Sequence, residues 1–179
     1  MTVIADAASP VRRLTLGDAP VLARLVRANR DFLAPTSPVR AEDWFTDEGQ
    51  ERAVRTALAS AEAGAMYPAV LVEGGDVVGI LNLNSIIRGA FQSASVGYWV
   101  AQDHNGRGIA TRAVAAAKRL AAEELGLHRL EASTLLDNTA SQRVLASNGF
   151  VQYGVAPDYL RIAGRWQAHA LFQVTFPGS

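Results

Sequence analysis

The chain has no cysteine among its 179 residues. Disulfides, thiolate metal sites and a cysteine nucleophile are therefore excluded. Neither sign of charge is in excess, because 17 basic and 17 acidic residues give a formal net charge of zero. Nucleic-acid binding depends on neutralising phosphates, so this balance disfavours a direct nucleic-acid partner. Lysine is almost missing as well, since Lys118 is the only one.

Long hydrophobic runs are also absent. No segment reaches about 18 uninterrupted apolar residues, and the N-terminus lacks the basic start and apolar stretch of a signal peptide. We therefore expect a cytoplasmic protein with no membrane partner. Hydrophobic residues still make up 49% of the chain, which is enough for a single domain over residues 1–179 with its core at about 11–176.

Three common ligand and catalytic motifs are missing. The P-loop pattern Gly-x-x-x-x-Gly-Lys-Ser/Thr, the metal pattern His-x-x-x-His and the nucleophile pattern Gly-x-Ser-x-Gly do not occur. The three histidines, His104, His128 and His169, are far apart in the chain. We therefore expect neither a metal site nor serine-hydrolase chemistry.

The pattern of apolar runs and chain breakers predicts a mixed α/β (α+β) fold. A strand over 11–16 is followed by a helix capped by Asp18 and a second helix over 41–63 with a break near Gly49. Gly74-Gly75-Asp76 joins two β-branched runs, which is a hairpin signal. The remaining strands are expected over 67–73, 77–85, 93–100, 129–135, 150–155 and 160–176, and the remaining helices over 112–125 and 138–147. This order favours a mostly antiparallel, twisted sheet flanked by helices, with one parallel crossover.

The most informative segment is Asn105-Gly106-Arg107-Gly108-Ile109-Ala110-Thr111, between the strand over 93–100 and the helix over 112–125. Its two glycines and its alanine leave backbone N–H groups at a helix N-terminus with little side-chain bulk over them. Unpaired amides and the helix dipole both favour an anion, so a phosphorylated cofactor is expected here. Two alternatives stay open, a dinucleotide site and a glycine-rich turn with no ligand.

The residues around this loop resemble the GNAT superfamily of N-acetyltransferases. That family's pattern Gln/Arg-x-x-Gly-x-Gly/Ala is matched over 105–110, except that Asn105 replaces Gln or Arg. Other segments are similar to the RimJ/RimL branch, which acetylates N-terminal alanine or serine of ribosomal proteins. These segments are 27–35, 96–100 and Asn138-Thr139-Ala140-Ser141 followed by Asn148-Gly149-Phe150.

The resemblance implies acetyl-CoA as the cofactor, with no metal. Its pyrophosphate would bind the amides of 106–111, and Arg107 or Arg112 would meet the 3′-phosphate. The pantetheine arm would pair with the strand over 96–100, where a backbone N–H near residues 99–101 would stabilise the oxyanion. Asn138 matches the position that bonds the pantetheine arm, although it also suits a helix N-cap. The residues expected to bind the cofactor are Trp99, Val100, Asn105, Gly106, Arg107, Gly108, Ile109, Ala110, Thr111 and Asn138.

The resemblance also implies two catalytic residues. Ser141 matches the position proposed to protonate the departing CoA thiolate, and Asp158 aligns with the proposed carboxylate base. Their ordinary alternatives are a helix-surface serine and a turn aspartate after proline. An α-amino group has a pKa of about 7.7–8.0 and is partly neutral at pH 7, so a weak or water-mediated base is sufficient for it.

The acceptor amine is expected to bind between the first helix, the third strand and two tyrosines. Asn82 and Asn84 share one strand face because strands have a period of two, although a solvated sheet face is the alternative. The residues expected to line this pocket are Asn29, Phe32, Asn82, Asn84, Tyr98 and Tyr159.

The expected function is acetyl-CoA-dependent N-acetyl transfer by direct attack in a ternary complex. The favoured acceptor is the N-terminal α-amine of a protein of the ribosomal type. A small amine, such as an antibiotic, an amino acid or a polyamine, stays an alternative, as does a non-catalytic acetyl-CoA-binding module. Either a monomer or a homodimer is compatible with the sequence.

Overall fold

The computed structural model describes residues 9–176, in which seven strands form one sheet in the order β1-β2-β3-β4-β5-β7-β6. All neighbouring strands are antiparallel except β4 and β5, which are parallel. This confirms the predicted mixed fold with one parallel crossover. The strands are β1 (Val11–Arg13), β2 (Tyr67–Glu73), β3 (Asp76–Ile87), β4 (Ser93–Val100), β5 (Arg129–Leu135), β6 (Val151–Ile162) and β7 (Arg165–Thr175).

Helices cover both faces of the sheet. They are α1 (Ala19–Ala28), α2 (Arg30–Leu33), α3 (Asp47–Glu62), α4 (Ile109–Arg119) and α5 (Thr139–Ser147). The larger core packs α4 and α5 on one face, and the smaller core packs α1 and α3 on the other. Strand β3 serves both, because Leu81 and Leu83 belong to the larger core while Ile80 packs against the smaller one. Within residues 9–176, no helix is long and apolar enough to cross a membrane.

The start of the chain differs from the prediction. Strand β1 ends at Arg13, and residues 16–18 form a 3-10 turn rather than the end of a strand. Asp18 does not cap α1 with its side chain; its Oδ2 accepts from the Thr15 amide at 2.8 Å, and its Oδ1 pairs with Arg12 Nη2 at 2.7 Å. The buried carboxylate therefore joins β1 to the turn that starts α1.

The predicted helix over 41–63 is two elements. Residues 42–45 form a 3-10 turn, Thr46 caps α3 by accepting from the Gly49 amide at 3.0 Å, and the helix starts at Asp47. The break therefore lies at Thr46 and not at Gly49. A Cβ atom at Gly49 would lie 1.8 Å from the carbonyl oxygen of Asp43, so glycine lets the turn fold back onto the helix.

Helix α4 starts earlier than predicted, at Ile109, and its regular part ends at Arg119. A single π-helical stretch over 120–124 continues it, and Gly126, with φ of +59°, reverses the chain.

The predicted strand over 150–155 and the first residues of the predicted run over 160–176 form one strand, β6, interrupted by a bulge between Ala156 and Leu160. The bulge contains Asp158, whose φ is +47°.

Candidate active site

The two central strands of the sheet separate from one another. Strands β4 and β5 pair through only three residue pairs, from Ser93–Arg129 to Ser95–Glu131. Beyond these, β4 stays paired with β3 and β5 with β7, so the two halves of the sheet open as a V. The facing edges of residues 96–100 and 132–135 are left without strand partners, and unpaired backbone groups there can bind a ligand in extended form.

Backbone amides of β4 are directed into this V. The Ala101 N–H donates to the carbonyl of Val78 at 2.8 Å, so residue 101 faces β3. Alternate residues of a strand direct their backbone groups to the same side. Trp99 therefore also faces β3, whereas the N–H of Val100 faces the V.

The glycine-rich loop follows β4 and a short turn over 102–104. Gly106 and Gly108 have φ values of +79° and +72°, and Gly108 is the N-cap of α4. The first backbone hydrogen bond of α4 runs from the Arg112 N–H to the Gly108 carbonyl. In the described part of the chain, the amides of residues 106–111 have no acceptor, and a Cβ atom at Gly106 would meet nothing within 4 Å. The loop is thus an open strip of N–H groups at the positive end of a helix.

Two arginines are fixed beside this strip. Arg112 donates to Glu73 Oε1 at 3.1 Å and to the carbonyl of Arg107 at 2.9 Å. Arg107 donates to the carbonyl of Asp103 at 3.0 Å and lies 3.8 Å from Glu73 Oε2. Both side chains stay more than half exposed and can meet an anion. The role of Glu73, at the end of β2, could not be inferred from the loop motif.

The side chains of the loop contribute less than its backbone. Asn105 is exposed, and its side chain has no hydrogen bond among the described residues. Ile109 is 1% exposed and points into the core, so only its backbone amide can reach a ligand. Ala110 packs against the same core, and Thr111 is half-buried.

Helix α5 brings a second polar group to the V. Asn138 caps the helix, since its Oδ1 accepts from the Ser141 N–H at 3.1 Å. The Oγ of Ser141 lies 2.9 Å from the hydroxyl of Tyr98, on β4. Burial raises the pKa of the Tyr98 phenol, so this hydroxyl stays protonated at neutral pH. Tyr98 therefore connects β4 to α5 across the V.

Asp158 lies in the bulge of β6. Ala156 and Leu135 both pair with His169 of β7, which aligns the start of the bulge with the end of β5 at the wide end of the V. The Asp158 side chain is exposed and has no ion pair among the described residues. Next to it, the ring of Tyr159 lies 5.5 Å from that of His169.

A cavity of about 590 Å³ opens on the α1 face of the sheet, with residues 97–99 of β4 in its wall. The two predicted asparagines, Asn82 and Asn84, line it together with Tyr98. None of the described residues that line it is acidic. The remaining lining residues are Val26, Arg30, Leu33, Ala34, Ser37, Pro38, Val39, Arg40, Trp44, Phe45, Ile80, Gly97, Trp99 and Ala163.

Three residues that the sequence assigned to the acceptor pocket do not line this cavity. Asn29 is 5% exposed, and both polar atoms of its side-chain amide form hydrogen bonds within the protein. Its Nδ2 donates to the Leu25 carbonyl, and its Oδ1 accepts from the Gln102 N–H at 2.7 Å. It ties the end of α1 to the turn after β4. Phe32 lies outside the lining, and Tyr159 packs beside His169.

Several cavity residues were missed by sequence reasoning. Arg30 lies 4.3 Å above the ring of Phe45, and Arg40 lies 4.3 Å above the ring of Trp44. Both rings belong to the 3-10 turn over 42–45, which was predicted to be part of a helix. Two aromatic residues in an otherwise charged segment were the available signal.

Asn148 has a structural role that its motif did not reveal. Its Nδ2 donates to the carbonyl of Thr111 at 3.2 Å and to that of Val144 at 2.9 Å. The end of α5 is thereby bonded to the first turn of α4. This contact holds the glycine-rich loop at a set distance from Ser141.

Comparisons with known proteins agree with this geometry. Residues 11–151 match the acetyltransferase (GNAT) domain family. A probable N-acetyltransferase of Bacillus subtilis, YjcK, is 37% identical over 169 residues, which cover 93% of each chain. The [ribosomal protein uS5]-alanine N-acetyltransferase of Escherichia coli is 32% identical over 162 residues, covering 89% of this chain and 84% of that one.

Solved structures show the same relationship. Mycobacterium smegmatis RimJ in complex with CoA-disulfide is 34% identical with a TM-score of 0.89, over 94% of this chain and 84% of that one. The ribosomal-protein-S5-alanine acetyltransferase from Vibrio fischeri is 30% identical with a TM-score of 0.89, over 94% and 93% of the two chains. The V-shaped sheet and its amide strip are thus those of an acetyl-CoA-dependent N-acetyltransferase, and the chain belongs to the GNAT family.

Proposed function

We propose that the enzyme acetylates the N-terminal α-amino group of a protein of the ribosomal type, by direct attack with both substrates bound. The observation that carries the proposal is the position of β4. Its residues 97–99 line an acid-free cavity on the α1 face, while the Tyr98 hydroxyl reaches Ser141 on the α5 face. The relatives that act on ribosomal-protein alanine support the choice of acceptor. The proposal takes residues 11–176 as one catalytic domain, working in the cytoplasm.

The residues around the V fit acetyl-CoA. The free amides of 106–111 suit the pyrophosphate, and Arg107 and Arg112 suit the 3′-phosphate. The unpaired edge of β4 suits the pantetheine amides, and the Nδ2 of Asn138, which has no acceptor among the described residues, can donate to a pantetheine carbonyl. Acetyl-CoA supplies the activated acetyl group as a thioester. The Val100 N–H, which faces the V, polarises the carbonyl oxygen where negative charge develops.

As the C–S bond breaks, Ser141 donates a proton to the departing sulfur, and it regains one, through water, from the nitrogen of the tetrahedral intermediate. A thiol has a pKa of about 8.5, so the thiolate is a good leaving group and a weak acid is enough. The Tyr98 phenol has no other acceptor among the described residues and therefore donates its proton to Ser141 Oγ. This direction leaves the proton of Ser141 free to point at the sulfur, so Tyr98 positions Ser141.

Asp158 takes the proton of the acceptor ammonium, directly or through water. An α-ammonium with a pKa of about 7.7–8.0 is deprotonated at low cost at neutral pH, whereas a lysine at about 10.4 costs roughly 3.5 kcal/mol more at 1.36 kcal/mol per unit. The exposed carboxylate lies at the wide end of the V, where it can serve the first amine directly or through water. The lower cost of deprotonation therefore favours an α-amine.

The acid-free cavity separates the acceptor classes. A polyamine or an aminoglycoside carries several positive charges, which need carboxylates for binding. The lining instead contains two arginines, two asparagines and two tryptophans. A peptide chain behind a single α-amine matches this lining better than a polycation does.

A thiol-release assay with acetyl-CoA tests the proposal. The panel contains peptides with N-terminal alanine or serine, free amino acids, spermidine and an aminoglycoside, and mass spectrometry locates the acetyl group. We expect turnover of the peptides at the α-amine. Turnover of the aminoglycoside or spermidine alone would contradict the proposed acceptor. No turnover of any amine, with tight CoA binding retained, would favour the non-catalytic module.

A further inference from the structure

The acceptor cavity has a defined entrance. The β6–β7 hairpin tip touches the segment before the 3-10 turn, since the Ala163 N–H donates to the Ser37 carbonyl at 2.9 Å. A Cβ atom at Gly164 would lie 3.7 Å from Val39 Cγ2, and both Ala163 and Val39 line the cavity. Residues 37–40 and Ala163 at the hairpin tip therefore border the cavity, and segments 37–40 and 161–165 are together named the cavity mouth.

The cavity mouth carries arginines that no carboxylate neutralises. Arg40 contacts the ring of Trp44 and has no ion pair among the described residues. Arg161 donates to the carbonyl of Gly164 at 3.2 Å, and Arg165 is exposed; neither pairs with an acidic side chain of residues 9–176. Arg30, which also lines the cavity, is different, because it forms a bidentate pair with Glu42.

We infer that the acceptor is a peptide with acidic side chains directly after its N-terminal residue, selected by the cavity mouth. The inference rests on the proposed function, because it takes the occupant to be a protein N-terminus. Uncompensated guanidiniums at an entrance attract anionic segments and repel cationic ones, and the planar guanidinium matches a carboxylate. The formal net charge of the whole chain is zero, so this preference comes from the local arrangement.

Three peptides test the inference, each beginning with alanine and continuing with three glutamates, three glutamines or three lysines. We expect kcat/KM to fall in that order, by about tenfold from the glutamate to the lysine peptide at low salt, since several exposed pairs act together. The difference should shrink at about 0.5 M salt because of screening. Equal rates, or faster lysine peptides, would overturn the acidic preference and leave the proposed function intact.

Two further outcomes are separated by the same assay. No turnover of any of the three peptides contradicts the proposed function itself. Free glutamate acetylated as fast as the glutamate peptide would overturn the peptide as the source of the carboxylates.

Charge-reversal variants of the mouth arginines test whether the cavity mouth causes the preference for acidic peptides. We expect Arg40→Glu and Arg165→Glu each to lower kcat/KM for the glutamate peptide about fivefold and to raise it for the lysine peptide. The KM for acetyl-CoA and the thermal midpoint should stay unchanged. Arg119→Glu is the matched control, because Arg119 is exposed and lies at the opposite end of α4 from the glycine-rich loop. An equal effect in the control would attribute the preference to total charge and overturn the role of the mouth.

Discussion

The two sides of β4 are equipped with different kinds of groups. Toward α4 and α5, the cofactor side consists largely of backbone, namely the free amides of 106–111 and the Val100 N–H. Toward α1, the proposed acceptor side consists largely of side chains, such as Trp44, Asn82 and Arg40. Backbone amides recognise a ligand common to a whole family, whereas side chains can be exchanged without disturbing the fold. The difference teaches why the cofactor is readable from a short motif and the acceptor is not.

The largest effect is expected for a change to the backbone side. Gly108 has φ of +72°, so a valine there is strained, and its Cβ atom would lie 3.5 Å from Arg112 Nη1. We expect Gly108→Val to weaken CoA binding by about 100-fold, measured by titration calorimetry.

Gly64→Val is the matched control, since Gly64 also has φ of +72° but lies after α3 with open space around it. It should lose stability and keep its CoA affinity. Equal losses of CoA binding in both variants would refute the amide strip.

The next largest effect is expected for Ser141 and Tyr98, whose hydroxyl groups meet across the V. Ser141→Ala should lower kcat by about 100-fold without changing the KM for acetyl-CoA, because the proton for the sulfur is lost. Tyr98→Phe should lower kcat less, about tenfold, because the Ser141 hydroxyl loses only its orientation.

A double variant sharpens this prediction. If Tyr98 acts through Ser141, adding Tyr98→Phe to Ser141→Ala should cause no further loss. Additive losses would show an independent role for Tyr98. Tyr153→Phe is the control, since its hydroxyl bonds Glu131 on the surface of β5 and β6.

A smaller effect is expected for Asp158, the proposed general base. Asp158→Asn should lower kcat/KM about tenfold at pH 7, and the loss should diminish as pH rises past the amine's pKa of about 8, where the free amine needs no base. A pH–rate profile with an alanine peptide measures this. Asp137→Asn, also exposed and close to α5, should behave as the parent enzyme. Full activity of Asp158→Asn at pH 7 would exclude Asp158 as the base.

Substituting one side chain on each side of β4 tests the comparison directly. Asn82→Leu should raise the KM of the acceptor about fivefold and leave that of acetyl-CoA unchanged, because Asn82 lines only the cavity. Asn105→Ala should change neither constant, because that exposed side chain has no bond to lose among the described residues. A rise in the KM for acetyl-CoA with Asn105→Ala would mean that the loop side chains also hold the cofactor.

The smallest effect on turnover is expected for Asp18→Asn, which belongs to neither side. Burial alone would raise the pKa of Asp18, but Arg12 and the two Thr15 groups outweigh it and lower the pKa. A lowered folded pKa stabilises the fold above the unfolded pKa of about 3.9, and this contribution is lost as pH falls through the folded pKa.

Denaturant unfolding at two pH values checks the direction in which the contribution of Asp18 to stability changes with pH. Asp18→Asn should cost about 1–3 kcal/mol at pH 7 and less below pH 4. Asp31→Asn, exposed on α2, should change the unfolding free energy little at either pH. A loss from Asp18→Asn that does not depend on pH would exclude the ionised carboxylate as its cause.

The central elements could be predicted to the residue, and others could not. Strands β2, β4 and β5 lie where the apolar β-branched runs placed them, because a buried strand depends mainly on its own residues. The predicted start of α3 was wrong, because the Thr46 hydroxyl accepts a hydrogen bond from the Gly49 amide and ends the preceding turn. The bulge that exposes Asp158 depends on the register between β6 and β7, which no local pattern records.

By itself, the sequence determined the glycine-rich loop and, through it, the family and the cofactor. Positive φ at Gly106 and Gly108 is a local property that glycine meets best, so it is visible in a short motif. Only the tertiary structure decided the V, the cavity and the contacts that join them. Tyr98 and Ser141 are 43 residues apart, and Asn29 and Gln102 are 73 apart. Strand order and packing bring such groups together, because hydrophobic burial and sheet register act on the whole chain at once.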